Sequence, residues 1–124
     1  MKKFLLLSAL VLTTILSYGQ DIADISKSSD GRLTVWNSKY SEISRKYIFD
    51  GDKLSGFSPE IIVVTSKDNR VTNYDKKFNE ISHKYLYDGD SVKNVCGNNI
   101  IIKNKNGLAT IYDIKFSERS HRYE

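Results

Sequence analysis

From residue 21 onward the apolar residues fall into short runs of about five, many of them alternating with polar residues, and the gaps between runs are filled by Gly, Asn and Asp. Runs of this length, rich in Val, Ile, Thr, Tyr and Phe, predict β-strands, whereas a helix would need a sustained period of 3.6 that the chain does not offer. In the middle of the chain the predicted strands are Lys53 to Phe57, Ile61 to Ser66, Arg70 to Tyr74 and Ile81 to Tyr87. Asp30-Gly31, Asp68-Asn69 and Asn106-Gly107 sit between the second and third strand of each group. A tight hairpin there needs positive φ, which these residues tolerate.

The pattern repeats with a period of 38 residues and no gap. Arg32, Thr34, Lys39, Glu42, Ile43, Ser44, Lys46, Tyr47, Asp50, Gly51 and Asp52 return as Arg70, Thr72, Lys77, Glu80, Ile81, Ser82, Lys84, Tyr85, Asp88, Gly89 and Asp90. Thr72, Tyr74, Asp75, Lys77, Phe78, Glu80, Ser82, His83 and Tyr85 return again as Thr110, Tyr112, Asp113, Lys115, Phe116, Glu118, Ser120, His121 and Tyr123. Agreement this dense without an insertion marks a repeat architecture of about 2.7 units, at roughly 20–52, 53–90 and 91–124, each supplying up to four strands.

Four antiparallel strands in about 40 residues is the size of one β-propeller blade. The run Val95-Cys96-Gly97-Asn98-Asn99-Ile100-Ile101-Ile102, followed by Asn106-Gly107-Leu108-Ala109-Thr110-Ile111-Tyr112-Asp113, resembles the blade repeats of bacterial exported β-propeller proteins. It is also similar, more distantly, to short bacterial repeats in which an Asn-Gly hairpin precedes a Tyr-Asp strand end. The resemblance implies an all-β fold of antiparallel meanders, with about eleven short strands. A closed propeller takes four to eight blades, so one such chain has too few to close as a monomer. That leaves an open stack, a ring completed by a second copy, or one completed by a partner, and unpaired strand edges favour contact with another chain.

The start of the chain reads differently. Lys2 and Lys3 form a basic n-region, Phe4 to Leu16 an apolar h-region, and Ser17 to Gln20 a small and polar end, the pattern of a signal peptide (1–19) cleaved after Gly19. The run is short of the roughly 20 residues that a transmembrane helix needs. The expected product is a periplasmic or secreted protein of residues 20–124, with no stable membrane span once the signal is cleaved. Losing Lys2 and Lys3 lowers the formal charge from +4 to about +2. So small an excess, with acids and bases interleaved, argues against nucleic acid or an anionic membrane as partner. One cysteine, Cys96, provides no intramolecular disulfide.

Few residues suggest chemistry. The column Arg45, His83, His121 places a cationic or ionisable group in each unit, beside the tyrosine column Tyr47, Tyr85, Tyr123. Alternation sets Ile81, His83, Tyr85 and Tyr87 on one strand face and Ser82, Lys84 and Leu86 on the other. A cross-strand Tyr and His ladder is the structural reading, and a shallow aromatic and basic ligand-binding surface for a sugar or anionic group is the functional one. Two histidines do not complete a zinc site. Asp50, Asp52, Asp88 and Asp90 flank Gly51 and Gly89 at a spacing that could begin a calcium loop, but the remaining ligands of such a loop are missing, and inter-unit turns account for them better. The columns Trp36, Tyr74, Tyr112 and Tyr40, Phe78, Phe116 read as packing between sheets. Cys96, at the position of Ser58, reads as a small packed thiol. Neither a nucleophile elbow nor a phosphate loop appears. The expectation is a non-catalytic exported repeat protein without a cofactor, acting as a protein-interaction or envelope and assembly component. The alternatives are a lectin-like carbohydrate binder formed by oligomerisation and a hydrolase with an inter-chain site.

Overall fold

A computed structural model describes residues 21–124, so the expected signal peptide lies outside the described residues. Eleven strands form three antiparallel meanders and, among the described residues, there is no helix. The first sheet holds β1 (Asp24–Lys27), β2 (Arg32–Trp36) and β3 (Glu42–Tyr47). The second holds β4 (Lys53–Phe57), β5 (Ile61–Thr65), β6 (Arg70–Asp75) and β7 (Glu80–Tyr85), and the third β8 (Ser91–Cys96), β9 (Asn99–Lys103), β10 (Leu108–Tyr112) and β11 (Glu118–Tyr123). Each sheet keeps its strands in chain order. The arrangement is an open row of propeller-type blades, with β4 against β8 where the second and third sheets meet.

The hairpins follow the turn chemistry. Gly31, Asn69 and Gly107 take φ of 85°, 66° and 87° between the second and third strand of each unit. Gly51 and Gly89, at 88° and 86°, make the turns between sheets. A third kind of turn is less conventional. Asn37, Asp75 and Asp113 each accept two backbone N–H bonds, from the residues two and four positions on, and this holds Tyr40, Phe78 and Phe116 at φ of 57°, 62° and 61°. Aromatic residues seldom adopt that region. Phe78 and Phe116 offset the strain by packing edge-on against Tyr74 and Tyr112, at 5.7 and 6.1 Å between centroids. Tyr40 departs from the packing expected of its column and stands 75% exposed.

The same turn carries a test. The backbone N–H groups of Ser117 and Lys115 hold the Asp113 carboxyl below its ordinary 3.8. A carboxylate whose folded pKa is depressed adds stability above its unfolded pKa and loses it as pH falls through the folded one. The first unit has Asn37 at this position, making the same bonds without a titrating group. Asp113→Asn is therefore expected to keep the neutral-pH urea midpoint and to soften the loss of stability below pH 3.8. An unchanged acid limb would show that the carboxylate contributes nothing through this turn.

Two apolar clusters lie between sheets. Ile22, Leu33, Val35, Ile62 and Val64 join the first sheet to the second, and Ile61, Val63, Val71, Val95, Ile100 and Ile102 join the second to the third. Each junction has the same polar fasteners one period apart. Ser44 and Ser82 donate to the carbonyl oxygens of Lys76 and Ile114 on the next sheet, at 2.6 and 2.5 Å. The Lys46 and Lys84 ammonium groups lie 5.6 and 5.3 Å from the ring centroids of Tyr74 and Tyr112. The strand-face assignment for Ile81 needs one correction: a bulge at Asn73/Tyr74 breaks the alternation, and Ile81 packs into the second cluster instead of sharing a face with His83.

The end faces differ in composition from the junctions. Fully buried Ile62 and Ile100 correspond to Asp24, and buried Val64 and Ile102 to Ser26, on the outer face of the first sheet. At the other end, Arg119 and Glu124 stand where Ile81 and Leu86 pack against a neighbour. The first sheet's outer face is thus polar, while the third sheet's is mixed, since half-buried Ile101 keeps an apolar residue at the position of Val63.

Candidate functional site

The cationic and tyrosine columns both occur on the last strand of each sheet. Arg45 and Tyr47 are on β3, His83 and Tyr85 on β7, His121 and Tyr123 on β11. Each cationic or ionisable group pairs with the glutamate three residues before it, Arg45 with Glu42 at 3.5 Å, His83 with Glu80 at 3.2 Å and His121 with Glu118 at 3.6 Å. The His83 and Tyr85 rings meet edge to face, 6.2 Å apart. These six residues share one phase of three separate sheets. Among the described residues no ion pair or ring contact joins one sheet's members to another's, so they form a repeated outer surface and not a single pocket.

That surface is wider than the two columns. Phe49 and Tyr87, one period apart just beyond β3 and β7, are 83% and 77% exposed, and Tyr47, Tyr85 and Tyr123 are also largely exposed. Their position follows from topology. The last strand of each meander has a hydrogen-bonded neighbour on one side only, and its final residues run into the inter-sheet turn. No later strand covers them.

The acidic turns act on the backbone. The Asp52 and Asp90 side chains accept from the amides of Phe49 and Tyr87 at 3.3 Å each, and Asp52 accepts also from Lys67. Asp50 and Asp88 stand beside them at the turn tips, and among the described residues no three His, Cys, Asp or Glu side chains gather as a metal cluster would require. Cys96 is exposed, contrary to the packed thiol expected. Its counterpart Ser58 is buried because the third sheet covers it and supplies the Gly97 carbonyl that its hydroxyl bonds at 2.7 Å. No described sheet does the same for Cys96.

A cleft of about 570 Å³ between the first and second sheets was not anticipated from the sequence. Lys46 and Phe49 border it from the first sheet, and Lys67, Arg70 and Tyr74 from the second, with Asp52 and Asp68 at its rim. Of the residues singled out from the sequence as candidate sites, Tyr47 of the ligand-binding columns and Asp52 of the acidic turns line it. Lys46 and Tyr74 lie 28 positions apart, as do Lys84 and Tyr112, and that recurring pair is the signal in the sequence that could have located the junction.

No protein-family model matches the chain. No curated protein matches it in sequence. Solved structures do match in shape, and they are β-propeller-type proteins. KlHsv2 with its loop 6CD replaced by a Gly-Ser linker aligns at a TM-score of 0.56 and 16% identity, over 78% of this chain and 33% of that one. Sqt1 of Saccharomyces cerevisiae aligns at 0.53 and 16%, over 78% and 29%, and BamB of Moraxella catarrhalis at 0.50 and 13%, over 82% and 34%. The chain thus spans about a third of the length of these structures. At such identity the likeness defines the fold class: three propeller-type blades in an open row.

Proposed function

We propose that this chain is a non-catalytic exported repeat protein that acts as a protein-interaction or envelope-assembly component, meeting its partner along the outer strands β3, β7 and β11. The observation that carries this reading is the repeated row of exposed aromatics Tyr47, Phe49, Tyr85, Tyr87 and Tyr123. Exposing this much aromatic surface gains nothing in water, whereas tyrosine and phenylalanine are enriched where protein surfaces meet. The outer strands also present an unpaired edge suited to strand addition. Repeat architectures commonly work as extended binding surfaces. Export is supported by the basic and apolar pattern of the first 19 residues.

Photo-crosslinking in the native host tests both parts. A photoreactive residue at Tyr87 is expected to give a discrete adduct in the extracytoplasmic fraction, whereas one at Glu60, off the outer row, gives none. An adduct of twice the chain mass would identify a second copy as the partner, and any other fixed mass a different protein. Chain retained in the cytoplasm, or adducts equally frequent at both positions, would overturn the proposal.

A further inference from the structure

The cleft between the first two sheets holds cations without ionic partners. Lys46, Lys67 and Arg70 border it, and among the described residues none of them is in an ion pair. The two carboxylates at the rim are engaged, Asp52 by the amides of Phe49 and Lys67 and Asp68 by the Ser66 hydroxyl. Their engagement leaves three cations against two hydrogen-bonded acids, a net of one positive charge.

Comparison with the equivalent junction separates what stacking needs from what it does not. Lys84, Tyr112, Lys105 and Asp90 reproduce Lys46, Tyr74, Lys67 and Asp52 between the second and third sheets, so those four belong to the repeat. Arg70 and Asp68 are replaced there by Leu108 and Asn106, and the sheets still pack. Arg32 shares the Ser-x-Asp-x-Arg pattern in the first unit, but it faces the end of the row, where no described sheet supplies an opposite wall. Asp30 borders a smaller cleft of about 240 Å³ that Arg32 does not line, whereas Arg70 itself lines the cleft between the first two sheets.

The geometry points to this cleft as a binding site for an acidic saccharide carrying one carboxylate per sugar ring, with Arg70 as the carboxylate receptor. A guanidinium takes a carboxylate through two parallel N–H bonds. Asp52 and Asp68 retain lone pairs for sugar hydroxyls, and the exposed Phe49 ring offers a flat apolar face at the rim. Two fixed carboxylates beside the cations disfavour a dense polyanion, and a neutral sugar would leave the cations unmatched. A space of about 570 Å³ suits one or two sugar rings. The cleft shares Lys46, Tyr47 and Phe49 with the edge at β3, but its receptor, Arg70, lies on β6 away from the outer row, so the saccharide assignment is tested apart from the protein-contact reading.

Titration of the isotope-labelled chain, followed by amide NMR, tests the assignment with three probes: digalacturonate, the neutral disaccharide galactobiose, and inorganic sulfate. Digalacturonate is expected to shift cleft amides saturably and to bind at least about tenfold more tightly than either other probe, a difference of about 1.4 kcal/mol. Arg70→Leu, the residue of the equivalent junction, is expected to abolish that preference with the spectrum otherwise preserved, and Arg70→Lys to weaken it by losing the fork. If the leucine variant does not fold, the lysine variant and the probe ranking decide. Shifts outside the cleft, equal affinity for sulfate or galactobiose, or no saturable shift would overturn the assignment.

Discussion

Replacing Ile100 by Asp is expected to unfold the protein or to leave it with little cooperative stability. Ile100 is fully buried on β9, in the cluster shared by the second and third sheets. Truncating a buried isoleucine costs about 2–5 kcal/mol in lost transfer energy and cavity. A carboxyl group there must also give up water without a hydrogen-bonding partner, so the total exceeds about 4 kcal/mol. Against a usual domain stability of about 5–15 kcal/mol, that loss is close to decisive. The first unit already carries Asp24 at the same repeat position, on an exposed face. The reciprocal change, Asp24→Ile, is expected to leave the urea midpoint nearly unchanged, within about 0.5 kcal/mol, and to promote association at high concentration by placing an apolar residue on an end face. Urea unfolding followed by circular dichroism measures the first effect and light scattering the second. Equal destabilisation by the two changes would mean that the end face is as buried as the junction.

Gly56→Asn is expected to cost about 1–3 kcal/mol, enough to lower the melting temperature by several degrees or more. A Cβ at position 56 would lie 2.8 Å from Cγ2 and 3.4 Å from Cβ of Val95 on the neighbouring sheet. Val95 is buried and β-branched, with little rotamer freedom to move aside. Glycine is required here by the close approach of β4 to β8, since its φ is not in the left-handed region. Asn94 occupies the same repeat position on the third sheet and is exposed. Thermal unfolding of Gly56→Asn beside Asn94→Gly separates the effects, because the second change creates no overlap and should cost only the modest entropy of a glycine in a strand and the bond that the Asn94 side chain accepts from the Val95 amide. A Gly56→Asn protein as stable as the unaltered chain would mean that the two sheets can move apart without loss.

Much of the fold was legible in the sequence because its determinants are local. Alternation, β-branched runs and the Gly, Asn and Asp turns placed Lys53 to Phe57 and Arg70 to Tyr74 within a residue of the observed strands, and the gapless period of 38 gave the sheet order. The last predicted strand ran on to Tyr87, where the chain instead turns through Gly89 and Asp90 caps the Tyr87 amide. The cationic and tyrosine columns lie on the last strand of each sheet, with Arg45, His83 and His121 each beside a glutamate, and the acidic residues lie in the turns between sheets, because a repeat in sequence copies local geometry faithfully.

What the sequence by itself determined is therefore the unit: the number and order of its strands, the turn positions and the recurrence of each column. Only the tertiary structure decided which members of a column are covered. Ser58 and Cys96, Ile100 and Asp24, and Gly56 and Asn94 are equivalent in the repeat and opposite or distinct in environment, because burial depends on whether another sheet stands against that face. The cleft at Arg70 has the same origin. Its cations come from strands of two different sheets, and their convergence is a property of how the sheets stack, which no single period encodes.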